Sequence, residues 1–512
     1  MLTRETSFVP GVLPSADLEL EFNNIVNYIN NRTLSNPLSA NLDFGDLFTV
    51  SNLRTFWNIL NVAEYSSLAA AEAALPSTGG VLLVPPNTTI DISSTVTISK
   101  DNTWIVGMGP SSILRRATGT FSATSNAMIL FNGRAGCGIK DLQLDGQQAS
   151  NSGSTGLSAV RVIGTSTNFK FMGNLVRRWG DAAEASTSPN DGILIGADEA
   201  SVPSGYTIIN NTFQNCRRSA VRVMNGRYGS IIGNVCTWDA LSSASAGIHL
   251  ETPSSGAGRL QYITVNDNVV AGIGATLPLQ GLAFVAGTTT LIDAARCVLS
   301  NNTLSNISGS GIHVSEGMLL NIVGNNLDTT NQVGTTAIGG IYLLDSAYCQ
   351  VQGNVLNVVG SNISSSNAIG IDVEATAGTV HGFITVEGNI LRNIAGFGII
   401  ASVNAGMTSA ALRVAGNTVS RYSQQVLGYG IFVRTNGTGI LSDTQVANNR
   451  VTLDGTAGVG NVHGIQVASS GTGTFSRATI LGNDCVGGNA GAGNPLTTGG
   501  IFTSLDSSHN QV

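Results

Sequence analysis

The hexapeptide VAGNTV, residues 414–419, decides the fold because close copies of it recur along the chain. Each copy has an apolar residue, a spacer, Gly or Asn, then Asn, one variable residue and a second apolar residue or Cys. Internal repeats of this kind define the architecture of a chain before any other feature. The copies are FMGNLV, IINNTF, IIGNVC, LSNNTL, IVGNNL, VQGNVL, VEGNIL, VANNRV and ILGNDC, with VNDNVV as a looser version.

The repeats are unevenly spaced, from 23 residues between Asn211 and Asn234 to 37 between Asn174 and Asn211. A second motif, Gly-apolar-x-apolar, lies between many of them, as in GIHL at Gly247 and GIDV at Gly370. Two short strands per repeat with loops of variable length describe one coil of a parallel β-helix. The sequence therefore predicts an all-β, single-stranded parallel β-helix, a solenoid whose repeats need only their neighbours.

The repeated Asn is predicted to lie where each coil turns, because Asn tolerates left-handed backbone geometry and bonds to neighbouring backbone. Stacked about 4.8 Å apart, equivalent side chains are expected to pair as a structural ladder. The Gly of the second motif is interpreted as another turn residue. The ladder positions are Asn174, Asn211, Asn234, Asn268, Asn302, Asn325, Asn354, Asn389, Asn417, Asn449 and Asn483.

The composition and net charge of the chain argue against several classes of function. The chain has 63 glycines and is 42% hydrophobic, which separates it from a disordered polypeptide. Its net charge of −7 gives no basic footprint for nucleic acid or anionic membranes. The six cysteines are scattered without a C-x-x-C pair, so we expect buried thiols and no metal site or cofactor. No apolar run is long enough to span a membrane.

Three regions are expected: an attachment and trimerisation segment at 1–60, a helix cap with the first coils at 61–155, and the Asn-ladder coils at 156–512. In the first, residues 15–32 read as a helix whose Leu18, Phe22, Ile25 and Ile29 form a heptad seam. The alternative to such a trimer seam is an amphipathic helix that packs on its own domain. The stretch MLTRETSFVPG lacks the apolar core of a signal peptide, so we expect synthesis in the cytoplasm.

Two stretches resemble known families. Residues 69–116, with a helix, a GG turn, VLLVPP and GMGPSSIL, resemble the opening of pectate-lyase-like right-handed β-helix proteins. That superfamily includes lyases, hydrolases, epimerases and adhesins, so the activity stays open. Residues 15–46, with LELEFNNI and PLSANLDFGD, resemble the attachment module of phage tail fibres and tailspikes. This resemblance implies a homotrimeric virion protein that contacts other tail or baseplate proteins and recognises host glycans.

The x positions of Gly-apolar-x-apolar-x are predicted to point away from the core. Read coil by coil, this outward column gathers aromatic, basic and acidic residues suited to an extended sugar chain. A solvated strand or a subunit interface is the alternative. The candidate substrate-binding residues are Arg222, His249, His313, Tyr342, Phe432 and Arg434.

Carboxylates in the same column are candidates for catalysis. Asp372 and Glu374 lie two residues apart on one face, which places their carboxyls roughly 6–7 Å apart from the strand rise. This is near the separation in inverting glycosidases. Glu251 beside His249 is a second candidate, and the loop with Asp181, Glu184 and Asp191 is a third. The motifs of polygalacturonases and the clustered aspartates of calcium-dependent pectate lyases are missing from the sequence.

Three functions remain. The leading one is a phage tail fibre or tailspike that binds host surface polysaccharide and has possible depolymerase activity. The second is a carbohydrate-active enzyme, a polysaccharide lyase or glycoside hydrolase, of the pectate-lyase-like superfamily. The third is a structural virion protein without a ligand.

Overall fold

The computed structural model describes residues 58–118, 121, 127–147, 157–179, 190–196, 202–239, 246–252, 259–273, 277–286, 294–330, 338–359, 368–376, 381–422, 428–452, 463–486, 496–499, 501–502, 505–506 and 510. The chain divides into two units, Met1–Asn58 and Ile59–Val512. The predicted helix of residues 15–32 lies outside the described residues. No helix of the described chain is long and apolar enough to cross a membrane.

The second unit is a right-handed parallel β-helix, as the repeats predict. The chain passes through sheets A, B and C in turn, and each strand pairs in parallel with its equivalent one coil further on, as in Ile371 with Ile399 and Ile399 with Ile431. The coil therefore has three strands where the sequence predicts two. The first motif covers two of them, because it begins in a sheet A strand such as Thr408–Ala415 and ends in a sheet B strand such as Thr418–Ser420.

Sheet A contains Ile59–Asn61, Gly80–Leu83, Thr103–Val106, Gly138–Lys140, Lys170–Met172, Thr207–Ile209, Ser230–Ile232, Thr264–Asn266, Val298–Ser300, Asn321–Val323, Gln350–Gln352, His381–Glu387, Thr408–Ala415, Ile440–Leu441, Thr444–Ala447, Thr474–Phe475, Ala478–Leu481, Ile501–Phe502 and Leu505–Asp506. Sheet B contains Thr88–Ile92, Ser112–Arg116, Gln143–Asp145, Leu175–Trp179, Thr212–Cys216, Val235–Trp238, Val269–Gly272, Thr303–Ser305, Asn326–Thr330, Val355–Val359, Ile390–Ile394, Thr418–Ser420, Arg450–Thr452 and Asp484–Val486. Sheet C contains Val96–Ile98, Ala127–Asn132, Ser158–Ile163, Ile193–Ile195, Ser219–Val223, Ala246–Glu251, Gln280–Val285, Ile312–Ser315, Ile338–Leu344, Ala368–Ala375, Phe397–Val403, Tyr429–Thr435, His463–Ser469 and Leu496–Gly499. A small sheet joins Gly226–Arg227, Leu260–Gln261 and Ala294–Ala295.

A short helix precedes the coils. It spans Leu68–Ala74, after the 3-10 turn Val62–Glu64, and Ser67 caps it by accepting a hydrogen bond from the backbone N–H of Ala70 at 3.1 Å. The Ala-rich pattern predicts this helix, and Pro76 follows its end. Its buried Leu68 and Ala71 join the core of the first coils. The helix thus covers apolar surface at the first coils.

The Asn ladder runs along the corner between sheets A and B. Each ladder Asn is buried, and its side-chain amide donates both to the next Asn side chain and to a backbone carbonyl. Asn354, for example, donates to Asn389 Oδ1 and to the Ile322 carbonyl, both at 2.9 Å, and accepts from Asn325. The ladder continues to Asn510, which accepts from Asn483 at 3.0 Å. The repeat motif does not include Asn510, because the residue three positions before it is the polar Ser507, where the other repeats have an apolar residue.

Two expectations about turn geometry are wrong. The left-handed residue at this corner is the one before each ladder Asn, such as Gly353 at φ 64° or Asn448 at φ 56°, and no ladder Asn has positive φ. The Gly of the second motif is not a left-handed turn residue either. A Cβ on Gly370 would lie 2.5 Å from the Gly398 carbonyl oxygen and 2.5 Å from Leu391. Close approach between coils, rather than backbone conformation, requires this glycine.

The core is one continuous apolar column inside the coils. It contains the inward residues of all three sheets, for example Ile371, Leu391 and Val414. All six cysteines are buried free thiols, as the sequence predicts. Burial raises the pKa of Cys137 and Cys485 to about 11, so these thiols stay protonated and unreactive at neutral pH.

Replacing a ladder amide should destabilise the coils strongly. We expect Asn354→Ala to lower the free energy of unfolding by roughly 2–4 kcal/mol, because it leaves several buried donors and acceptors without partners. Urea denaturation followed by far-UV circular dichroism measures the change. Asn326→Ala, at an exposed position in the sheet B strand one coil earlier, is the matched control and should change stability little. Equal effects of the two variants would contradict the ladder's role.

Candidate functional site

The outward column of the sequence analysis is in register on sheet C. Its residues pair in parallel from coil to coil, with Arg222 beside His249, His313 beside Tyr342, and Tyr342 beside Asp372. None of these side chains belongs to the apolar core, whose members are their neighbours in the strand. We call this set the sheet C column, and its rungs in order are Leu194, Arg222, His249, Ala283, His313, Tyr342, Asp372, Ile400, Phe432 and Gln466.

The side chains of this column point away from the apolar core, but several of them are shielded from solvent. Arg222 is 4% exposed, His249 7%, Tyr342 8% and Asp372 4%. Glu251, His313, Glu374, Phe432 and Arg434 are more accessible and half-buried. The column is therefore a largely desolvated strip whose polar groups must be paired inside the protein.

Arg222 and Glu251 form the first polar centre of the column. The guanidinium of Arg222 donates to Glu251 Oε2 through Nε at 3.0 Å and Nη2 at 2.7 Å. Arg218 donates to the same oxygen at 3.5 Å. Burial acts to raise the pKa of Glu251, but Arg222, His249 and Arg218 outweigh it and hold the pKa below its usual value. A carboxylate held ionised by arginines suits ligand binding better than proton donation.

Asp191 lies behind Arg222 and is fully buried. Its Oδ2 is 3.8 Å from Arg222 Nη1, and no hydrogen bond to either carboxylate oxygen is found within the described chain. Burial raises the pKa of Asp191 to about 6, against the opposing charges of Arg222 and Arg218. Of the loop acids named from the sequence, Asp191 adjoins the column, whereas Asp181 and Glu184 lie outside the described residues.

The two histidines of the column are neutral at physiological pH. Burial lowers the pKa of His249 to about 4, and burial lowers the pKa of His313 to about 4. His313 packs edge-on against Tyr342, with ring centroids 5.2 Å apart. Neutral imidazoles supply one donor and one acceptor each, which suits hydroxyl groups of a ligand.

Asp372 and Glu374 form the second polar centre, three rungs beyond Ala283. Glu374 accepts hydrogen bonds from Tyr342 Oη and from Asn404 Nδ2, both at 3.1 Å. No hydrogen bond to the Asp372 carboxyl is found among the described residues. Burial raises the pKa of Asp372 to about 7, with a further increase from Glu374 and a decrease from Arg434. Adjacent carboxyls in such different surroundings are a common arrangement for an acid and a base.

An aromatic cluster ends the column. Tyr429 stacks on Phe432 with centroids 4.5 Å apart and on His463 at 4.7 Å. Arg434 lies over the Phe432 ring at 5.5 Å and donates to Ser402 Oγ at 2.9 Å. Ring faces beside an anchored guanidinium can hold a sugar by C–H packing and hydrogen bonds.

Sequence reasoning missed Arg218, Asn404 and Tyr429. Arg218 precedes the strand Ser219–Val223, Tyr429 begins the strand Tyr429–Thr435, and Asn404 follows the strand Phe397–Val403, so a search restricted to the x positions passes over them. A wider window around each sheet C strand would have found them. Within the described residues no group of three or more His, Cys, Asp or Glu is arranged to hold a metal ion.

A family model described as a right-handed β-helix region matches residues 127–357. This match agrees with the right-handed parallel β-helix described above. No curated protein sequence matches the chain. Among solved structures, the chain is similar to the catalytic unit of a GH87 alpha-1,3-glucanase from Streptomyces thermodiastaticus, with 14% identity and a TM-score of 0.45, covering 87% of this chain and 66% of the glucanase.

Two further solved structures are similar to the chain. Bacteriophage phi29 gene product 12, in its pre-mature form, is 12% identical with a TM-score of 0.46, covering 90% of this chain and 75% of that one. The A-module of a mannuronan C-5 epimerase from Azotobacter vinelandii is 13% identical with a TM-score of 0.38, covering 87% of this chain and 98% of that one.

Asp372→Asn should stabilise the β-helix at high pH. Because the pKa of Asp372 rises from 3.8 to about 7 on folding, the wild type loses stability as pH rises through that window. At pH 4 the two proteins should have similar free energies of unfolding. At pH 8 the variant should be more stable by on the order of 3 kcal/mol. Urea denaturation at both pH values measures this, and a pH-independent difference would contradict a buried, titrating Asp372.

Proposed function

We propose that this β-helix binds a polysaccharide along the sheet C column and hydrolyses it at Asp372 and Glu374. The observation that carries the proposal is the pair of adjacent carboxyls in contrasting surroundings, one desolvated with a raised pKa and one hydrogen-bonded by Tyr342 and Asn404. A pair of this kind, within a strip of aromatic, imidazole and guanidinium groups, is suited to acid–base cleavage of a glycosidic bond.

In the proposed reaction, protonated Asp372 donates its proton to the glycosidic oxygen as the bond from that oxygen to the anomeric carbon breaks. Glu374 accepts a proton from the water that attacks the anomeric carbon from the opposite side. The two carboxyls are two residues apart on one strand, roughly 6–7 Å from the strand rise, which leaves room for this water. Glu374 is the more accessible of the two, so the substrate reaches Asp372 from the Glu374 side.

The rest of the column supports binding. On one side of the acids, His313 and the Arg222–Glu251 pair offer hydrogen-bonding groups. On the other, Phe432, Tyr429 and Arg434 offer ring faces and a cation. From Arg222 to Asp372 the column spans five coils, about 24 Å at 4.8 Å per coil. That length suits a polymer rather than a single sugar.

We also propose the biological setting that the N-terminal sequence resemblance implies, a phage tail fibre or tailspike. In that setting the β-helix recognises host surface polysaccharide, the segment at 1–60 attaches it to other tail proteins, and the assembly is a homotrimer. The resemblance of residues 15–46 to tailspike attachment modules supports this role. Contact with a neighbouring subunit is the competing role for the outward residues of the sheet C column.

Cleavage can be tested with purified bacterial capsular polysaccharides and the full chain. We expect new reducing ends without 4,5-unsaturated products, and activity that is present below about pH 7 and lost above it as Asp372 ionises. Asp372→Asn and Glu374→Gln should each lower the rate by roughly 100-fold or more, as expected for loss of a general acid or base.

Glu387→Gln is the matched control, because Glu387 is a solvent-exposed carboxylate on sheet A, paired with Arg413 at 3.2 Å. It should leave the rate unchanged. Products with 4,5-unsaturated ends would show that the reaction is a lyase elimination and not hydrolysis. Full activity in Asp372→Asn would remove this pair from the mechanism.

The oligomeric state tests the tailspike setting separately. Light scattering of the full chain in solution should give three times the chain mass of 52.6 kDa. A monomer across a wide concentration range would contradict the trimer and the seam predicted at residues 18–29. A monomer would not contradict the proposed cleavage by Asp372 and Glu374 on sheet C.

A further inference from the structure

A second ladder, unrelated to the sheet C column, lies at the corner that leads into sheet A. Its residues adopt left-handed backbone conformations with φ between 52° and 62°. The backbone N–H of Tyr228 donates to the Gln261 carbonyl at 3.0 Å, and that of Tyr348 to the Gly382 carbonyl at 2.9 Å, so the rungs are equivalent from coil to coil. We call this set the corner ladder, and it consists of Tyr228, Tyr262, Arg296, Leu319, Tyr348 and Phe383.

These residue types are unfavourable at this position. Large side chains rarely adopt positive φ, whereas Asn, Asp and Gly do so readily. Other coils follow that preference at the same corner, with Asn168 at φ 55°, Gly205 at φ 68° and Asp443 at φ 52°. Six consecutive coils instead carry bulky residues. Strain kept over adjacent repeats points to a function for the side chains.

The aromatic rungs are exposed and stacked in two pairs. Tyr228 lies on Tyr262 with centroids 5.1 Å apart and 12° between the ring planes, and Tyr348 lies on Phe383 at 4.7 Å and 5°. The outer member of each pair is the more exposed, with Tyr228 at 60% and Phe383 at 49%. Beyond each pair the next rung is small, Gly205 at one end and Ala411 at the other. Flat apolar rings at the ends of the ladder are therefore open to a ligand.

Arg296, an exposed cation, lies at the centre of the ladder beside Leu319. Arg296 donates to Tyr262 Oη at 2.7 Å and lies over that ring at 5.6 Å, and it forms no ion pair with a carboxylate of the described chain. Next to it a surface recess of about 360 Å³ is lined by Leu319, Asn321, Tyr348 and Gln350. Between the two ring pairs, the ladder thus presents the guanidinium of Arg296, and the adjoining sheet A strands present the side-chain amides of Asn321 and Gln350. Sugar hydroxyls and carboxylates pair with such groups.

We propose that the corner ladder binds an extended carboxylated polysaccharide, with a sugar carboxylate at Arg296 and sugar rings against Tyr228 and Phe383. From Tyr228 to Phe383 the ladder spans five coils, about 24 Å, so it contacts several sugars. The net charge of −7 opposes an acidic ligand, but salt screens that repulsion beyond about 8 Å. The site is independent of cleavage on sheet C.

The test measures affinity by calorimetry in the Asp372→Asn background, so that no probe is cleaved. The probes are oligogalacturonate, oligomannuronate, oligosialate and neutral cello-oligosaccharide. Tyr228→Asn and Phe383→Asn place at each rung the residue type found at Asn168, so stability should be kept or increased. Each should weaken binding of the carboxylated probe by roughly tenfold. Arg296→Asn should remove the preference for carboxylated over neutral probes.

Val235→Asn, an exposed apolar residue of sheet B, is the control and should bind like its parent. Absence of binding to all three carboxylated probes, or unchanged affinity in the ladder variants, would overturn the proposal. So would a fall in oligomer mass with unchanged affinity, which would make the ladder a contact between copies. If Asp372→Asn loses cleavage but keeps binding at the corner ladder, then the ladder site is separate from the catalytic site proposed on sheet C.

Discussion

The side-chain amide ladder between sheets A and B is the interaction on which the rest of the β-helix depends. Each buried Asn is both donor and acceptor, so removing one leaves partners on both sides without hydrogen bonds. Because the ladder fixes one corner of each coil from Asn174 onward, the segments between corners can change length without losing register. The columns on sheet C and at the corner ladder are straight for this reason.

Much of the architecture is legible in the sequence because its signals are local. The VAGNTV-type motif places an inward apolar residue, a left-handed residue and a ladder amide within six positions, and each has a separate physical requirement. The motif does not reveal which of two adjacent polar residues turns the chain. Asn occurs at both kinds of position, as in Asn448 and Asn449, so the motif alone predicts the left-handed conformation at Asn417, whereas Gly416 adopts it.

The sheet C column and the corner ladder are harder to predict from the sequence than the fold is. Register along sheet C follows from Gly-apolar-x-apolar, so Arg222, His249 and Asp372 could be aligned from the sequence. Their burial could not, because it depends on groups distant in the chain. The corner ladder has a simple signal that is easy to miss, since its rungs lie three residues before the first apolar residue of each repeat, as Tyr348 does before Val351. Tyr and Phe at a turn position contradict ordinary propensity.

Parallel pairing directs the backbone and ladder hydrogen bonds of the described strands from one coil to the next, along the axis of the β-helix, as from Asn354 to Asn389. A tensile load applied along that axis therefore acts on the bonds of one coil boundary at a time, and the stack would lengthen by peeling successive turns. A sideways load is shared by many strands and meets greater resistance. The β-helix unit by itself is in this sense mechanically anisotropic, stiff in bending and weak in extension.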